Sequence, residues 1–358
     1  MSKKLQHHSI PHQQRFNGNR NTRPADDRPI IPSPLDIMVD GREYESMLNY
    51  RFEMGIPEMR KSIEEIKNCT ETYTVCLLAN GVNPNIKSNT SINASDDLPF
   101  AEMINSIPTE VRKIDIILVT PGGSAEQVVR FVDKLRPRFD EVRFILPNAA
   151  MSAGTIFVMS GDEIIMSKNS YIGPIDPQVI NKDGRLVPAQ SLLALIDDIK
   201  KRGDVALSKR LQPDWTDLQI LSQIDHKDLG NAINGSNFSI ELVKNYLSTY
   251  KFKSWEKHHD ETPVTIADKE NAAREIAIKL CDNKLWKSHA RGITREIAWN
   301  ECRLRIINAE SIIGLERSIN RFWALMYWFF ENSVIYKVFL SMDYAIIRLD
   351  NALINIKP

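Results

Sequence analysis

The feature that most constrains this chain is the segment from residue 114 to residue 123. Ile114-Asp115-Ile116-Ile117-Leu118-Val119 is apolar at all but one position, and Thr120-Pro121-Gly122-Gly123 ends it abruptly. A strand with one wet face alternates apolar and polar residues. A short run that does not alternate suits a strand covered on both faces, as in a parallel sheet flanked by helices. The glycines that follow permit positive φ and let the backbone come close to a ligand with its N–H groups exposed.

The neighbouring sequence continues the theme. Residues 124–135 place Ala125, Val128, Val129, Phe131, Val132 and Leu135 at helical spacing. Residues 142–146 read as a second strand, 151–159 as a helix and 163–166 as a third strand. Strand, helix, strand, helix, strand predicts right-handed crossovers and a parallel sheet. Upstream, 73–78 reads as a strand and 80–97, with its Asn, Ser, Gly and Pro, as a loop. Residues 42–67 carry Tyr44, Met47, Leu48, Phe52 and Met54 in a partly helical stripe that Pro57 interrupts. From about 191 the pattern is helical, with Leu192, Leu193, Leu195, Ile196 and Ile199 on one helix and further helices at 239–251 and 268–282. No internal repeat is present.

Composition narrows the function classes. The 358 residues are 42% hydrophobic, enough for a substantial core. Lys+Arg and Asp+Glu both number 46, so whole-chain charge draws the protein neither to nucleic acid nor to anionic lipid. Cys69, Cys76, Cys281 and Cys302 form no C-x-x-C pair and no zinc spacing, and read as reduced core thiols. Residues 1–35 are polar, with His7, His8 and His12 among Asn, Gln, Arg and Pro, and read as a disordered tail. The N-terminus lacks the apolar stretch of a signal peptide, so the active part is expected in the cytoplasm. Asn89-Thr90-Ser91 and similar triplets are then chance matches to a glycosylation site.

Near the C-terminus, residues 322–349 are aromatic and apolar, but the longest unbroken apolar run, 322–330, is nine residues. A membrane span needs ~20. Two readings stay open. One is packing or oligomer-interface helices. The other is an amphipathic helix touching the cytoplasmic face of a membrane through Trp323, Tyr327 and Trp328.

Two turns could carry chemistry. The first is Thr120-Pro121-Gly122-Gly123. The second is Asn148-Ala149-Ala150-Met151-Ser152-Ala153-Gly154-Thr155, directly after the next strand. Small residues there allow a tight strand-to-helix turn with Ser152 at the helix start, where the dipole favours developing negative charge. Both turns follow the carboxyl ends of adjacent parallel strands, where such sheets place their sites. One turn could supply an oxyanion hole and the other a nucleophile. The alternative is a close helix–strand contact that needs small residues. Neither turn matches a nucleotide-binding glycine motif.

Three segments together, Thr120-Pro121-Gly122-Gly123-Ser124-Ala125-Glu126, Ala150-Met151-Ser152-Ala153-Gly154-Thr155 and Ser170-Tyr171-Ile172-Gly173-Pro174-Ile175-Asp176-Pro177-Gln178, resemble the Clp-protease/crotonase superfamily. Within it the sequence is most similar to the serine dehydrogenase proteinase family, relatives of the signal peptide peptidases. The resemblance covers about residues 70–315. It implies an α/β fold with a spiral β-β-α core and a helical C-terminal extension. It also implies Ser152 as nucleophile, with the Gly123 and Ala153 N–H groups as the oxyanion hole and Gly122 shaping the turn. No metal or organic cofactor is implied.

The general base departs from the pattern. Membrane-linked relatives use a lysine, whose place falls near Pro188-Ala189-Gln190. Clp proteases use a histidine, whose place falls at Ile175-Asp176-Pro177. Neither stretch holds the expected residue. Among the histidines, His226, His258 and His259 lie in charged stretches. His289 lies just before residues 292–304, which resemble the superfamily's late helix, and falls near the third triad position. The resulting hypothesis makes His289 the base and Asp176 its orienting partner, with swapped positions. Geometry rather than chain order defines a triad, so the swap is permissible. Lys168 and Lys182 are fallback bases in polar turns. Asp176 as a turn cap and His289 as a hydrogen-bonded structural residue are the competing readings.

The expected organisation is a tail at 1–35, a helical segment at 36–70, a ClpP/crotonase-like serine protease domain at 71–315 and apolar helices at 316–358. The expected partners are a protein or peptide substrate and further copies of the chain, with no nucleic acid. Two rivals remain. One is a crotonase-like acyl-CoA enzyme that uses the same oxyanion hole. The other is an inactive membrane or assembly scaffold.

Overall fold

The computed structural model describes residues 33–48, 55–180 and 186–350. The expected tail, with His7, His8 and His12, lies outside them apart from its last residues, as do Phe52, Met54 and Lys182.

The sheet is built from β1 (Tyr73–Ala79), β2 (Lys113–Val119), β3 (Glu141–Leu146), β4 (Glu163–Met166), β5 (Ile307–Asn308), β6 (Ile335–Leu340) and β7 (Ala345–Leu349). Their spatial order is β7-β6-β1-β2-β3-β4-β5. β1 to β5 run parallel, and β6 and β7 add on antiparallel at the β1 side. The principal helices are α1 (Ile56–Thr70), α2 (Asp97–Asn105), α3 (Ala125–Leu135), α4 (Ala153–Val158), α5 (Ala189–Ser208), α6 (His226–Tyr246), α7 (Ile266–Cys281) and α8 (Leu315–Glu331). This is the mixed α/β class expected from the sequence.

The unbroken apolar runs follow from burial on both faces. Ile114, Ile116, Leu118, Val142, Phe144 and Leu146 face one cluster, completed by Phe100 of α2, Phe131 of α3, Phe157 of α4 and residues of α7. Ile117, Val119 and Ile145 face the other, with Met59 and Ile63 of α1 and Ile319, Phe322 and Met326 of α8. Asp115, the polar exception in its run, is fully buried beside its cross-strand neighbour Arg143. The guanidinium donates to both carboxylate oxygens at 2.7 and 2.8 Å and to Thr72 Oγ1 at 2.8 Å. A buried charge held by a bidentate partner is tolerated where a lone one is not.

Two expectations need correction. Pro57 opens α1 rather than interrupting a longer helix, because in a first turn its missing N–H costs no hydrogen bond. Apolar helices over 316–358 are found only in α8 among the described residues. After Asn332 the chain forms β6 and β7 instead. Val338 and Leu340 fill one cluster while Phe339 fills the other, so the segment is apolar because both faces of a strand are covered. The aromatic residues of α8 are also engaged. Trp323 packs on the second cluster, Trp328 on a small cluster with Leu35, Met38 and Met47, and the Tyr327 ring stands edge-on to Tyr44 at 5.2 Å. No described helix is long and apolar enough to cross a membrane.

Candidate active site

The two turns meet at the carboxyl ends of β2 and β3. Thr120 N–H donates to Ala149 O at 2.9 Å and Met151 N–H donates to Thr120 O at 3.0 Å. The side of Thr120 lies over Gly154, where an added Cβ would stand 2.4 Å from Thr120 Cγ2. Small residues in the second turn are thus required by the first.

Gly122 and Gly123 have φ of +107° and +140°. A Cβ on Gly122 would lie 2.7 Å from Ser152 Cβ, and one on Gly123 would lie 2.2 Å from Ile92 O. Both constraints, backbone and space, therefore demand glycine. Ile92 fixes the turn from outside. Its N–H donates to Gly122 O at 2.7 Å, and Ser124 N–H donates to Ile92 O at 2.9 Å. Ser124 then caps α3 by accepting from Gln127 N–H.

Ser152 precedes α4 with φ +51° and ψ −118°, a conformation strained for any residue with a side chain. The hydroxyl is partly exposed and makes no hydrogen bond among the described residues. The N–H groups of Gly123 and Ala153 likewise donate to no acceptor among them. Two unengaged N–H groups thus belong to the paired turns that hold a serine hydroxyl.

The third motif lies against the second turn. Ala149–Ala150 pairs in parallel with Tyr171–Ile172. Thr155 Oγ1 accepts Gly173 N–H at 2.9 Å and lies 2.8 Å from Ala150 O, tying helix, turn and motif together. The other side of the motif is paired through Ile172 with Ile293, by reciprocal N–H···O bonds of 3.1 and 2.8 Å. That pairing brings the loop carrying His289 alongside. Asp176 is fully buried, and His289 Nδ1 lies 2.9 Å from its Oδ1. Asn283 Nδ2 donates to the other oxygen at 3.4 Å.

The structure therefore brings Ser152 together with Gly122, Gly123 and Ala153, and His289 together with Asp176. No hydrogen bond joins Ser152 to His289. The other base candidates are placed elsewhere. Lys168 is exposed, with its backbone N–H on Glu316. Gln190, near the lysine slot, donates to Ser236 Oγ and packs on Cys281. His258 lies 3.4 Å from Asp268, and His226 and His259 are exposed. The described residues hold no group of three His, Cys, Asp or Glu side chains fit for a metal. Sequence reasoning missed Ile92 and named Thr120 and Thr155 only as members of the motifs, without the backbone and hydroxyl contacts through which they act. Only the order of motifs hinted at them.

Residues 90–262 match the ClpP-like SDH-type serine proteinases. This is the family that the motifs resemble. The stretch takes in Ile92, both turns and Asp176, whereas His289 lies beyond the part matched to the SDH-type proteinases. An uncharacterized protein of Methanocaldococcus jannaschii is 29% identical over 199 residues, 54% of this chain and 61% of its own length. A second from the same organism is 41% identical over 66 residues, 18% of this chain and 23% of its own. The chain thus spans less than two thirds of either relative. Among solved structures, a mutant of the 1510-N membrane-bound stomatin-specific protease aligns with TM-score 0.35 and 14% identity, covering 61% of this chain and 74% of that one. Another mutant of it, in complex with a substrate peptide, aligns with TM-score 0.35 and 16% identity over 61% and 70%. The ClpP catalytic domain from Plasmodium falciparum aligns with TM-score 0.26 and 14% identity over 34% and 62%.

Proposed function

We propose that the chain is a serine-type peptidase acting through an acyl-enzyme on Ser152. The observation that carries this reading is the pairing of a strained, unengaged Ser152 with the free N–H groups of Gly123 and Ala153. Two backbone N–H groups without an acceptor, beside a serine, are the donors that a tetrahedral oxyanion requires.

In the reaction, Ser152 Oγ attacks the peptide carbonyl carbon and gives up its proton to a base. The negative charge that develops on the carbonyl oxygen rests on the two N–H groups. The C–N bond then breaks, and the leaving amine takes the proton. Water attacks the acyl-enzyme in the same geometry, releases the acid and restores the hydroxyl. His289 is the base in this proposal. With Nδ1 held by Asp176, Nε2 is the nitrogen left to exchange the serine proton. The buried carboxylate fixes the ring's orientation and stabilises the imidazolium formed during transfer. The segment from Tyr171 to Asp176 links the two halves, since Tyr171–Ile172 pairs with Ala149–Ala150 just before Ser152 and Asp176 lies beside His289.

A fluorophosphonate probe tests the assignment. Wild type is expected to label, and Ser152→Ala to be silent. His289→Ala and Asp176→Asn are expected to label slower by roughly 10²–10⁴-fold. Unchanged labelling of Ser152→Ala refutes the nucleophile. Unchanged labelling of His289→Ala alone refutes the base and leaves the serine assigned.

A further inference from the structure

A cavity of about 850 Å³ lies at the amino ends of the strands, the opposite end from Ser152. Glu141 and Glu163, the first residues of β3 and β4, line it, whereas Gly122 and Ser152 follow the far ends of β2 and β3. Its remaining wall comes from the turn after α6, from α7, and from the segment 299–307. The turn after α6 is unusual. Leu247–Lys251 is a π-helical turn, in which Phe252 N–H reaches back five residues to Leu247 O at 2.9 Å. Such widened turns recur at functional sites because they re-aim the side chains that follow. Here the turn brings Lys251 into the cavity wall.

The charges in the wall divide into engaged and unengaged sets. Asp162 is held by Arg136 at 2.7 Å and by Lys253 at 2.5 Å. Arg136 in turn lies 3.7 Å from the centre of the Tyr250 ring. Glu141 pairs with Lys113 at 2.8 Å, and Lys279 donates to Glu301 O at 2.7 Å. The side chains of Lys251 and Arg305 make no hydrogen bond or ion pair among the described residues. Burial pulls the Lys251 ammonium down to about 8, against the pull of Glu163 and Asp162 and with help from Arg305. With the ion-paired groups and Lys279 set aside, Lys251, Arg305 and Arg303, whose guanidinium lies 5.7 Å from the centre of the Trp299 ring, face only Glu163 and Glu275, a positive surplus. Trp255, Trp299 and Ile276 supply an apolar and aromatic wall beside them.

We propose that this cavity is a second ligand site, taking a small molecule that joins an anionic head, carboxylate or phosphate, to an aromatic body. The head sits between Lys251 and Arg305, whose charges then gain the partner that the fold withholds. The body lies against Trp255 and Trp299. Small-molecule sites combine an apolar and aromatic wall with polar groups that fix orientation, and this cavity has both, with more charge in its lining than most. This proposal does not rest on the peptidase reading.

The test is titration of the full chain with phenyl phosphate, benzoate, inorganic phosphate and phenol, followed by ligand-observed NMR. Phenyl phosphate or benzoate is expected to bind, and the tighter of the two names the head group. Phenol and inorganic phosphate each lack one half of the ligand and are expected to bind more weakly. Lys251→Met and Arg305→Met are expected to weaken the better ligand by ~10–100-fold, the loss of one charge-assisted hydrogen bond. Arg305 is exposed, so its variant reports on binding without disturbing the core. Arg305→Met is also expected to keep wild-type fluorophosphonate labelling, which separates this site from Ser152. Equal affinity of wild type and both variants, or no binding by either anionic aromatic, overturns the proposal.

Discussion

At the scale of single residues, the sequence showed glycine but not strain. Gly122 and Gly123 were legible because glycine marks positive φ directly. Ser152 was legible as a candidate from its small neighbours, yet nothing in the sequence reports its φ of +51° and ψ of −118°. That conformation is one glycine adopts freely. Ser152→Gly is therefore expected to raise stability by about 1 kcal/mol in urea denaturation while abolishing probe labelling. A loss of stability would mean that the hydroxyl or Cβ makes contacts outweighing the strain. Lys251 gives the opposite kind of case, a half-buried charge that no pattern foretold. Its value in the folded chain, about 8, lies below the ordinary lysine value of 10.5. Between those limits the unfolded chain binds more protons, so stability rises as pH goes from 8 to about 10.5. Below pH 8 the full cost applies, up to about 3 kcal/mol at ~1.4 kcal/mol per pKa unit. Lys251→Met is expected to be more stable than wild type at pH 7, the gap closing by pH 10.5. Parallel pH profiles for the two proteins would show that Lys251 keeps an ordinary value.

At the scale of elements, the central parallel strands could be read almost to their ends, because each is short, apolar and followed by a turn. The Gly-Gly turn could be read as well, but not what grips it. That grip comes from a stretch read only as a loop, and from a strand that read as helix. Lys337, in the middle of β6, is buried with Asp96, its Nζ 2.9 and 2.7 Å from the two carboxylate oxygens. The same Nζ donates to Ser91 O at 2.6 Å, and Arg348 of β7 reaches Asp96 at 3.2 Å. Asp96 also accepts Asn93 N–H at 3.0 Å. This cluster fixes both flanks of Ile92, whose backbone holds Gly122 and Ser124. A lysine amid apolar residues reads as a solvated face unless its partner is known, and the partner here is 241 positions away. Asp96→Ala leaves the ammonium buried with one of its partners gone, and is expected to cost about 3–5 kcal/mol in a denaturant melt. Labelling of the folded fraction should also slow, because the turn carrying Gly123 N–H loosens. A large loss of stability with wild-type labelling of the folded fraction would separate the cluster from the oxyanion turn.

At the scale of the whole molecule, the sequence suggested a catalytic domain with a separable apolar appendage, and the sheet joins the two. β6 pairs with β1 from Cys76↔Leu340 to Ala79↔Lys337, so the last described part of the chain covers an edge of its first strand. Pairing between segments more than 250 residues apart leaves no local trace, since each strand shows only that it is apolar. The lower-numbered flank is equally committed, because α1 packs against α8 over the second face of the sheet. Deleting residues 333–358 would expose the β1 backbone edge and remove Val338 and Leu340 from that face. An exposed apolar edge strand is a template for pairing with other chains. The truncated protein is therefore expected to aggregate and to lose labelling at Ser152, although none of the described residues 333–350 is hydrogen-bonded to the serine. Sedimentation velocity and probe labelling on the shortened chain distinguish the two views. A monodisperse, labelled product would mean that residues up to 332, α1 and α8 included, form the core without β6 and β7, which are then an accessory. An aggregated one would mean that the oxyanion turn depends on a sheet completed only when β6 returns to pair with β1.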